Sequence, residues 1–533
     1  MNLTTITKKL EDVVDINNIV ETISSHTVDT DKLGKIAKAA ALTYTTYIIS
    51  TKLYDAFFGP LSGLPGPIGF RFYGFQYSRS IGRKPGDMWE CLKVWREKYG
   101  RVIRLGPNRI GISDKRMLRQ IQVNDADFCK GPMYVSLQRR SPPTVFNLIN
   151  RVEHKQRRRI ISPAFSIKYI NSLESFMQST TNALVNRVDK DIKKTLDEQT
   201  GYGKVDIWLL VQYLALDVIG ETAFGKTFNM LEKEDHLVSR AVNMQMERSF
   251  KLLTNPILGP LLMKLPNNGI LKANEELKEF MKQIIIERLE GGEAVRRNDI
   301  LQILIDSQRD NDPEQRLTAQ MIAQETVLFL TAGSETTANT TGFVFVELMK
   351  HPEKLALLRQ ELDAVPFEND QKLLNHEQLK TLPYLNAVIN ETLRLDSIIV
   401  NGFERVPLKD TVLDGHFIPK GTILHINNYH AHIDNDYWPE AEKWIPERWI
   451  AGSGYPEADT EAFFPFSAGA RNCIGQGFAY QEMRLCIANV IKLYDMEAIS
   501  EEVIASDDRR SFITLGVRSG SYNIKMKRRT VTA

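Results

Sequence analysis

Cys473 is the residue whose surroundings best suit it for chemistry. It lies in FFPFSAGARNCIGQGFAYQEMRL, residues 463–485, where turn composition is followed by helical periodicity over Ile474–Leu493. A cysteine just before a helix meets the positive end of the helix dipole, and free backbone N–H groups there can donate to its sulfur. Both effects lower the basicity of the thiol and favour a thiolate that binds a metal ion.

Four residues surround this cysteine in the pattern Phe-x-x-Gly-x-Arg-x-Cys-x-Gly, namely Phe466, Gly469, Arg471 and Gly475. The two glycines let the backbone turn tightly and approach a flat cofactor closely. The phenylalanine can shield the sulfur, and the arginine can bind an anionic carboxylate. Cys91, Cys129 and Cys486 lack such a context, so we expect them to be inert thiols.

This pattern resembles the haem-binding signature of the cytochrome P-450 superfamily, and the sequence style resembles its fungal microsomal members. The cofactor implied by the resemblance is haem b, iron protoporphyrin IX. Cys473 would be the axial ligand of the haem iron, and Arg471 would contact a haem propionate. Further motifs follow in the family's order from Pro65 to Gly475, so the resemblance spans roughly three quarters of the chain.

A second motif, Ala332–Thr337 (AGSETT), lies inside the helical stretch Thr318–Lys350. It resembles the family's (Ala/Gly)-Gly-x-(Asp/Glu)-Thr motif. Glycine and threonine are unfavourable in mid-helix, so we expect the hydrogen-bond ladder to open and make room for O₂ and water. The resemblance implies that Thr336 hydrogen-bonds the bound oxygen and that Glu335 relays protons. Taken alone, the motif is more typical of a helix that is interrupted by small residues for packing.

A third motif is Glu391-x-x-Arg394, which places both side chains on one helical face. Arg448, in PERW, follows some distance later. In the family these three residues form a buried charge cluster behind the cysteine loop, and we assign them that structural role. Without the resemblance, the pair would be interpreted as a solvated surface contact.

A fourth motif is His154-x-x-x-Arg158, where the family often has Trp-x-x-x-Arg. The resemblance implies that Arg158 binds a haem propionate. His154 departs from the family's tryptophan, which puts its own propionate hydrogen bond in doubt. Arg405, before the strand-like GHFIPKGT, resembles another propionate-binding position. Each arginine taken singly is also typical of a surface charge.

The resemblance implies a haem-thiolate monooxygenase that inserts one oxygen atom from O₂ into an organic substrate. By position in the family, the substrate pocket would be lined by apolar segments at Pro142–Ile149, Phe329–Leu330, Ile398–Val400 and Phe512–Leu515. Such a lining favours a bulky, neutral, lipophilic substrate such as a steroid or terpenoid, and hydroxylation as the reaction.

Electrons would come from a separate protein, since no G-x-G-x-x-G opens a predicted βαβ unit. The family precedent is NADPH–cytochrome reductase, with cytochrome b5 as a further candidate. The residues that could dock an acidic partner are Arg151, Lys155, Arg157, Arg159 and Arg484. A solvated helix face is the alternative interpretation of this cluster.

Two other functions stay open at this stage. The first is an O₂-independent haem-thiolate isomerase or dehydratase of secondary metabolism. Such enzymes often lose the acid–threonine pair, whereas Glu335 and Thr336 are both present. The second is a haem-binding sensor without turnover, which would normally need an output domain, and none is evident.

The elements that must position these residues are mostly helices. Helical spacing extends over Met88–Tyr99, 170–200, 205–230, 235–253, 270–290, Leu317–Lys350 and Leu385–Leu395. A hairpin is predicted at Val102–Ser113, and short strands cluster around 403–427 and 511–526. The predicted fold class is mainly α with small β-sheets (α+β), namely the cytochrome P-450 fold with an N-terminal membrane anchor.

The N-terminus divides into three predicted segments. Residues 1–38 form a polar tail, residues 39–63 a membrane anchor, and residues 64–67 (LPGP) a hinge before a catalytic domain over 68–533. The uncharged stretch is only about 13 residues, short of the ~20 that cross a bilayer, so a spanning and an interfacial anchor both stay open. An amphipathic helix packed on the protein is the alternative. The leucine-rich loop Asn255–Pro266 is a second candidate for membrane contact.

Composition excludes several other classes. The chain has 533 residues, with 43% hydrophobic and 25% charged residues, which is typical of a globular protein. The 68 basic and 66 acidic side chains leave a net charge of +2, so we expect no nucleic-acid partner. The 4 cysteines are scattered, which suits a reducing compartment. With the anchor, the predicted location is the endoplasmic-reticulum membrane, with the catalytic domain in the cytosol.

Overall fold

The structure is a computed structural model that describes residues 30–74, 84–138, 142–233, 238, 242, 244, 269–368, 372–456 and 458–530. The chain divides into two compact units, Met1–Gly63 and Leu64–Ala533. The predicted loop Asn255–Pro266 lies outside the described residues, as do most of the predicted helix 235–253 and most of the polar tail.

The described part of the first unit is dominated by helix α1, Thr30–Phe57. Three of its threonine hydroxyl groups are hydrogen-bonded within the helix. Thr43, Thr45 and Thr51 each donate to the carbonyl four residues earlier. Leu42 and Tyr44 on this helix are exposed. Among the described residues, only Ile207–Phe224 is long and apolar enough to cross a membrane, and 83% of that segment is buried inside the protein. The anchor over 39–63 therefore stays a prediction.

The second unit is mainly helical, as the periodicity predicts. Its α-helices are α2 (Met88–Tyr99), α3 (Lys115–Val123), α4 (Pro132–Gln138), α5 (Arg151–Ile161), α6 (Ile167–Ser172), α7 (Glu174–Lys194), α8 (Ile207–Phe224), α9 (Met230–Lys233), α10 (Gly269–Glu290), α11 (Ile300–Asp306), α12 (Ala319–Lys350), α13 (Pro352–Asp363), α14 (His376–Leu379), α15 (Pro383–Leu395), α16 (Asn428–His432), α17 (Gln476–Leu493) and α18 (Ser500–Ala505). Short 3-10 turns lie at Pro446–Trp449 and at Gly469–Arg471 in the cysteine loop.

The strands form small sheets. They are β1 (Val102–Gly106), β2 (Arg109–Ile112), β3 (Phe128–Lys130), β4 (Gly203–Asp206), β5 (Phe403–Pro407), β6 (Thr411–Leu413), β7 (His416–Ile418), β8 (Ile423–Ile426), β9 (Tyr494–Glu497), β10 (Arg509–Ser511), β11 (Leu515–Val517) and β12 (Asn523–Arg528). The largest sheet has the order β1-β2-β8-β5-β3, and only its β2–β8 pair is parallel. Strands β4-β12-β9 form a second sheet, and β6–β7 and β10–β11 are two-stranded. The predicted hairpin at Val102–Ser113 is β1–β2.

The core is built around α8 and α12, which lie side by side. α8 is apolar on nearly all faces because it is surrounded by protein. Trp208 packs edge-on against Phe343, with ring centroids 5.0 Å apart. A Cβ atom at Gly342 would lie 2.5 Å from the Trp208 ring, so only glycine allows this approach. The core thus holds the long helix α12 rigidly in the centre of the unit.

Two local predictions differ from the structure. The helix predicted over 205–230 begins only at Ile207, because residues 203–206 pair with β12 as strand β4. The opening predicted at Gly333–Thr336 does not interrupt α12, which is continuous from Ala319 to Lys350. The Thr336 hydroxyl bonds within the helix, donating to the Ala332 carbonyl at 2.8 Å.

Candidate functional site: the cysteine loop and its basic surroundings

The cysteine loop is closed by its own backbone. The N–H of Cys473 donates to the carbonyl of Phe466 at 2.9 Å. Gly469 has φ +70°, and a Cβ atom there would lie 2.4 Å from the Gln122 carbonyl, so the loop requires glycine at this position. Gly475 has φ −86°, so the tight turn expected of it is not what requires glycine. The ring of Phe466 packs against Tyr480, with centroids 5.4 Å apart.

The Cys473 thiol lies in a recess of the protein. The residue is exposed to solvent, yet the protein around it raises the pKa of its thiol. Both statements hold when a side chain faces a cavity lined by protein, because solvent can reach it while protein atoms surround it. The N–H of Gly475 and the charge of Arg158 oppose the rise in pKa by favouring the thiolate. Gly475 itself lies next to the sulfur, since a Cβ built on it would be 4.0 Å from Sγ.

Basic groups from four elements converge near this thiol. They are Lys130 on β3, His154 and Arg158 on α5, Arg405 on β5 and Arg471 in the cysteine loop. Burial, followed by Arg405 and Arg471, lowers the pKa of Lys130 well below its ordinary value. Burial, followed by Arg471 and Lys130, lowers the pKa of His154 to about 3, so its ring is neutral. These shifts require the five side chains to lie close together in a poorly solvated region.

The structure holds Arg471 and Arg158 by hydrogen-bond partners of their own. Arg471 donates to Asp125 at 2.7 Å and to the carbonyls of Leu148 and Ile149 at 2.6 and 3.2 Å. Arg158 donates twice to Asn472, the residue just before the cysteine. These contacts use only part of the donor capacity of each guanidinium group.

The chemistry of this basic group fits a dianionic cofactor above the thiol. Three arginines and one lysine lie in the group, and Asp125 is the acidic side chain hydrogen-bonded within it. A buried excess of positive charge is costly unless an anion balances it. The two propionates of haem b would supply two negative charges, and Cys473 would supply the thiolate ligand. The residues present therefore fit haem b.

On α12, the predicted pair Glu335 and Thr336 lies in the middle of the buried helix. Because Thr336 Oγ1 donates to Ala332, its lone pairs are left to accept a hydrogen bond from outside the helix. The carboxylate of Glu335 accepts from the Thr514 hydroxyl at 2.6 Å, and burial raises the pKa of Glu335. The neighbouring Ala332 is exposed although α12 is central, which indicates an internal space on this face.

The structure brings Glu391, Arg394 and Arg448 together in the core. Glu391 accepts from Arg394 at 2.9 and 2.7 Å and from Arg448 at 3.0 Å, and all three side chains have no solvent exposure. The N–H of Ile445 and the indole N–H of Trp449 complete the donors to this carboxylate. Arg394 also donates to three backbone carbonyls, those of His432, Ala441 and Lys443. The cluster therefore ties α15 to the segment that precedes the cysteine loop.

The predicted basic docking surface is smaller than its sequence suggests. Arg157 is buried and donates to Glu325 at 2.7 Å, so it cannot belong to the surface. Arg484 is partly buried and donates to Asn386. Arg151, Lys155 and Arg159 remain exposed on α5. The spacing i, i+4, i+8 of these three places them on one helical face, whereas Arg157 points inward.

Sequence reasoning missed Lys130 and gave Thr514 no role of its own, although Thr514 falls within the predicted pocket segment Phe512–Leu515. Lys130 lies in the short strand β3, and its ammonium group donates to the carbonyls of Val145 and Phe146. Thr514 lies between β10 and β11 and contacts Glu335. Neither residue belongs to a motif near in sequence to its partners. For Lys130, the one available signal in the sequence was a lysine without an evident role inside the apolar-flanked segment FCKG.

Comparison with known proteins gives the same result as the geometry. The cytochrome P-450 family model matches residues 63–526. The monooxygenase acrD of Aspergillus aculeatus is 31% identical over 449 residues, covering 83% of this chain and 87% of that protein. The monooxygenase FUS8 of Gibberella moniliformis is 30% identical over 504 residues, covering 93% and 94%. Benzoate 4-monooxygenase bphA of Aspergillus niger is 30% identical over 464 residues, covering 81% and 86%.

The chain therefore belongs to the cytochrome P-450 family. It is a haem-thiolate monooxygenase, an oxidoreductase whose cofactor is haem b. Its reaction requires O₂, a lipophilic substrate and a redox partner. The predicted fold class, mainly α with small β-sheets, is confirmed.

Proposed function

We propose that this enzyme hydroxylates a bulky, neutral, lipophilic compound such as a steroid or terpenoid. The observation that carries the proposal is the Cys473 thiol, accessible at the end of a protein-lined recess, with the N–H of Gly475 directed at it. The presence of both Glu335 and Thr336 favours O₂ chemistry over an O₂-independent isomerase or dehydratase.

Different residues of the chain would bind the cofactor and transfer protons. Haem b, when bound, would supply the iron chemistry that activates O₂, and Cys473 would hold that iron through its thiolate. Arg158, Arg405 and Arg471 would bind the propionates. Neutral His154, buried beside them, would donate a hydrogen bond. On α12, the Thr336 hydroxyl would hold a water molecule, and Glu335 would exchange a proton with it.

The substrate class rests on the segments predicted to line the pocket. Two of them are joined, because the N–H of Leu515 donates to the Ile398 carbonyl at 2.8 Å. Phe329 is buried and packs edge-on against Phe165, which lies beside Gly475. These contacts support an apolar wall near the cysteine loop. An aromatic carboxylate is the second candidate, because a relative is named for benzoate and Arg510 lies close enough to lower the pKa of Glu335.

Electrons would come from NADPH–cytochrome reductase, with cytochrome b5 as a second donor. Arg151, Lys155 and Arg159 are exposed cationic groups on one face of α5 that an acidic partner could contact. Two of them also lie near carboxylates of the chain, Arg151 at 3.5 Å from Asp125 and Arg159 at 3.9 Å from Asp312. The same helix carries Arg158, which reaches the cysteine loop through Asn472. A partner bound to this face would therefore lie near the cysteine loop.

We infer that α1 holds the enzyme on the endoplasmic-reticulum membrane, with the catalytic domain in the cytosol. The internally bonded hydroxyls of Thr43, Thr45 and Thr51 lower the cost of placing this helix in lipid. Removal of residues 1–58 should transfer the protein from the membrane fraction to the supernatant in carbonate-free buffer. If the shortened protein stays with the membranes, the anchor lies elsewhere in the chain.

The first test is the carbon-monoxide difference spectrum of the reduced protein beside Cys473→Ala. A long-wavelength Soret band of the thiolate type should appear in the wild type and disappear in the variant. Cys129→Ala, which removes a cysteine on β3, is the matched control and should keep the band. A band of the histidine type in the wild type would contradict the proposed ligand.

The substrate class is tested on the same protein by the spin-state shift of the oxidised haem. Titration with progesterone should produce a high-spin shift, and titration with benzoate should not. The reverse result would favour the aromatic-carboxylate candidate. Formation of an isomerised product without NADPH and O₂ would favour the isomerase alternative.

A further inference from the structure

The carboxyl group of Glu335 is held by one oxygen only. Its Oε1 accepts a hydrogen bond from the hydroxyl of Thr514 at 2.6 Å. Its Oε2 is buried and has no hydrogen-bond partner within the described part of the chain. A carboxyl group fixed in this way keeps one oxygen in a defined place while the other is left to exchange a proton.

The backbone around Thr514 is anchored independently of its side chain. Asn339, one helical turn after Glu335 on α12, donates to the carbonyl of Leu515 at 2.9 Å. Gln212 on α8 in turn donates to Asn339 at 2.6 Å, and the N–H of Leu515 donates to Ile398. The turn between β10 and β11 is therefore fixed to the two central helices. These backbone contacts therefore determine the distance between the Thr514 hydroxyl and the Glu335 carboxyl group.

In this arrangement Oε1 is held by Thr514, whereas Oε2 is left to exchange the proton. Thr336, the next residue on α12, donates to Ala332 and has its lone pairs free to accept a hydrogen bond. Because adjacent residues of a helix point in different directions, a proton held by Glu335 would reach this hydroxyl through a water molecule, and only in certain rotamers of the glutamate. Without Thr514 the flexible side chain would sample other rotamers, and fewer of them would be productive.

We propose that Thr514 is a positioning residue that orients the Glu335 carboxyl group for proton delivery during O₂ reduction. The inference rests on the proposed role of Glu335 and extends it to a residue in the turn between β10 and β11. No covalent step involves Thr514. It donates a hydrogen bond to Oε1 and thereby leaves Oε2 to take up and release the proton.

The first readout is infrared absorption of the purified holoenzyme at acid pH, which does not depend on turnover. The carbonyl band that Glu335→Gln removes is the band of the protonated Glu335 carboxyl group. In Thr514→Val this band should move to higher wavenumber, because the carbonyl oxygen loses its donor. Thr514→Ser should restore the wild-type position. Thr341→Val, a buried threonine on α12 that donates only to the Thr337 carbonyl, is the matched control.

The second readout is the stoichiometry of oxidase turnover without substrate, with NADPH and NADPH–cytochrome reductase. One O₂ takes two electrons and two protons to give hydrogen peroxide, or four electrons and four protons to give two water molecules. The ratio of NADPH to O₂ consumed therefore lies between one and two. Impaired proton delivery should move Thr514→Val toward one and raise peroxide per O₂ about threefold, the effect of losing one hydrogen bond.

The outcomes are distinguishable. If Glu335→Gln leaves the stoichiometry unchanged, the proposed role of Glu335 fails. If Glu335→Gln changes it while Thr514→Val changes neither the band nor the stoichiometry, the positioning role alone is overturned. Thr514→Ala removes the same donor without a branched side chain and serves if the valine variant folds poorly. Loss of haem from both variants with an unshifted carbonyl band would assign Thr514 a purely structural role and overturn the proposal.

Discussion

Phe464 donates its backbone N–H to Nε2 of His432 at 2.8 Å. This bond joins the start of the cysteine loop to the buried charge cluster, because Arg394 donates to the carbonyl of the same histidine at 2.7 Å. Burial, followed by Arg394, lowers the pKa of His432 to about 3, so the ring is neutral. Because Nε2 accepts from the Phe464 N–H, the proton of the neutral ring is on Nδ1, which donates to the Ser397 hydroxyl at 2.7 Å.

His432→Leu should weaken the cysteine loop. The substitution leaves the Phe464 N–H buried without an acceptor, which costs about 2 kcal/mol in the free energy of unfolding. We expect faster loss of haem to apomyoglobin, measured by the Soret change. His416→Leu on strand β7 is the control and should release haem at the wild-type rate. Equal rates for the two variants would contradict the link.

Glu391→Gln should destabilise the whole second unit. The change leaves Arg394 and Arg448 without their buried counter-charge, and breaking such a pair costs about 3–5 kcal/mol. The measurement is urea unfolding of the holoenzyme followed by circular dichroism. Glu440→Gln, which removes an exposed partner of Lys443, is the control and should leave the transition midpoint unchanged. A wild-type midpoint for Glu391→Gln would exclude the structural role.

Glu482 on α17 should make stability fall as the pH rises. Burial raises the pKa of Glu482 from its ordinary 4.5 to about 8, so the folded state binds this proton more tightly than the unfolded state. The contribution of Glu482 to the free energy of unfolding is fully present below pH 4.5 and is lost as the pH rises to about 8. The slope approaches about 1.4 kcal/mol per pH unit where the two states differ by one proton.

The discriminating window for Glu482 is pH 7–8. Burial also raises the pKa values of Glu325 and Glu347, but only to about 7. The change in stability that these two groups cause is therefore mostly finished before the pH enters this window. Urea unfolding of the holoenzyme at several pH values should show a falling stability in the wild type and a flatter curve in Glu482→Gln. Glu501→Gln, an exposed residue of α18, should follow the wild type. A wild-type slope in Glu482→Gln would mean that another group titrates there.

Thr336→Ala should uncouple oxygen reduction from water formation. Removal of the hydroxyl eliminates the acceptor predicted to hold a protonated oxygen or water, so peroxide per NADPH should rise at least about twofold. Thr331→Ala is a close control because its hydroxyl makes the same bond, to Val327 at 2.9 Å, one or two turns earlier. If both variants release equal peroxide, the role belongs to helix packing and not to Thr336.

The sequence alone determined the parts of this protein that are encoded locally. The spacing around Cys473 identified the family, and hydrophobic periodicity placed Met88–Tyr99, Ala319–Lys350 and Gln476–Leu493 within a few residues. Local signals suffice there because helix periodicity, caps and short motifs depend on residues within a few positions of one another.

Only the tertiary structure decided which charged groups are buried and which carry partners. The sequence placed Arg157 with Arg151, Lys155 and Arg159, yet the fold turns it inward to Glu325, 168 residues away. Thr514 meets Glu335 across 179 residues, and Lys130 approaches Arg405 because β3 pairs with β5. These contacts follow from packing between distant segments, and the pKa of each group follows from its burial. No local pattern carries that information, because desolvation and long-range charge arise only when the chain is folded.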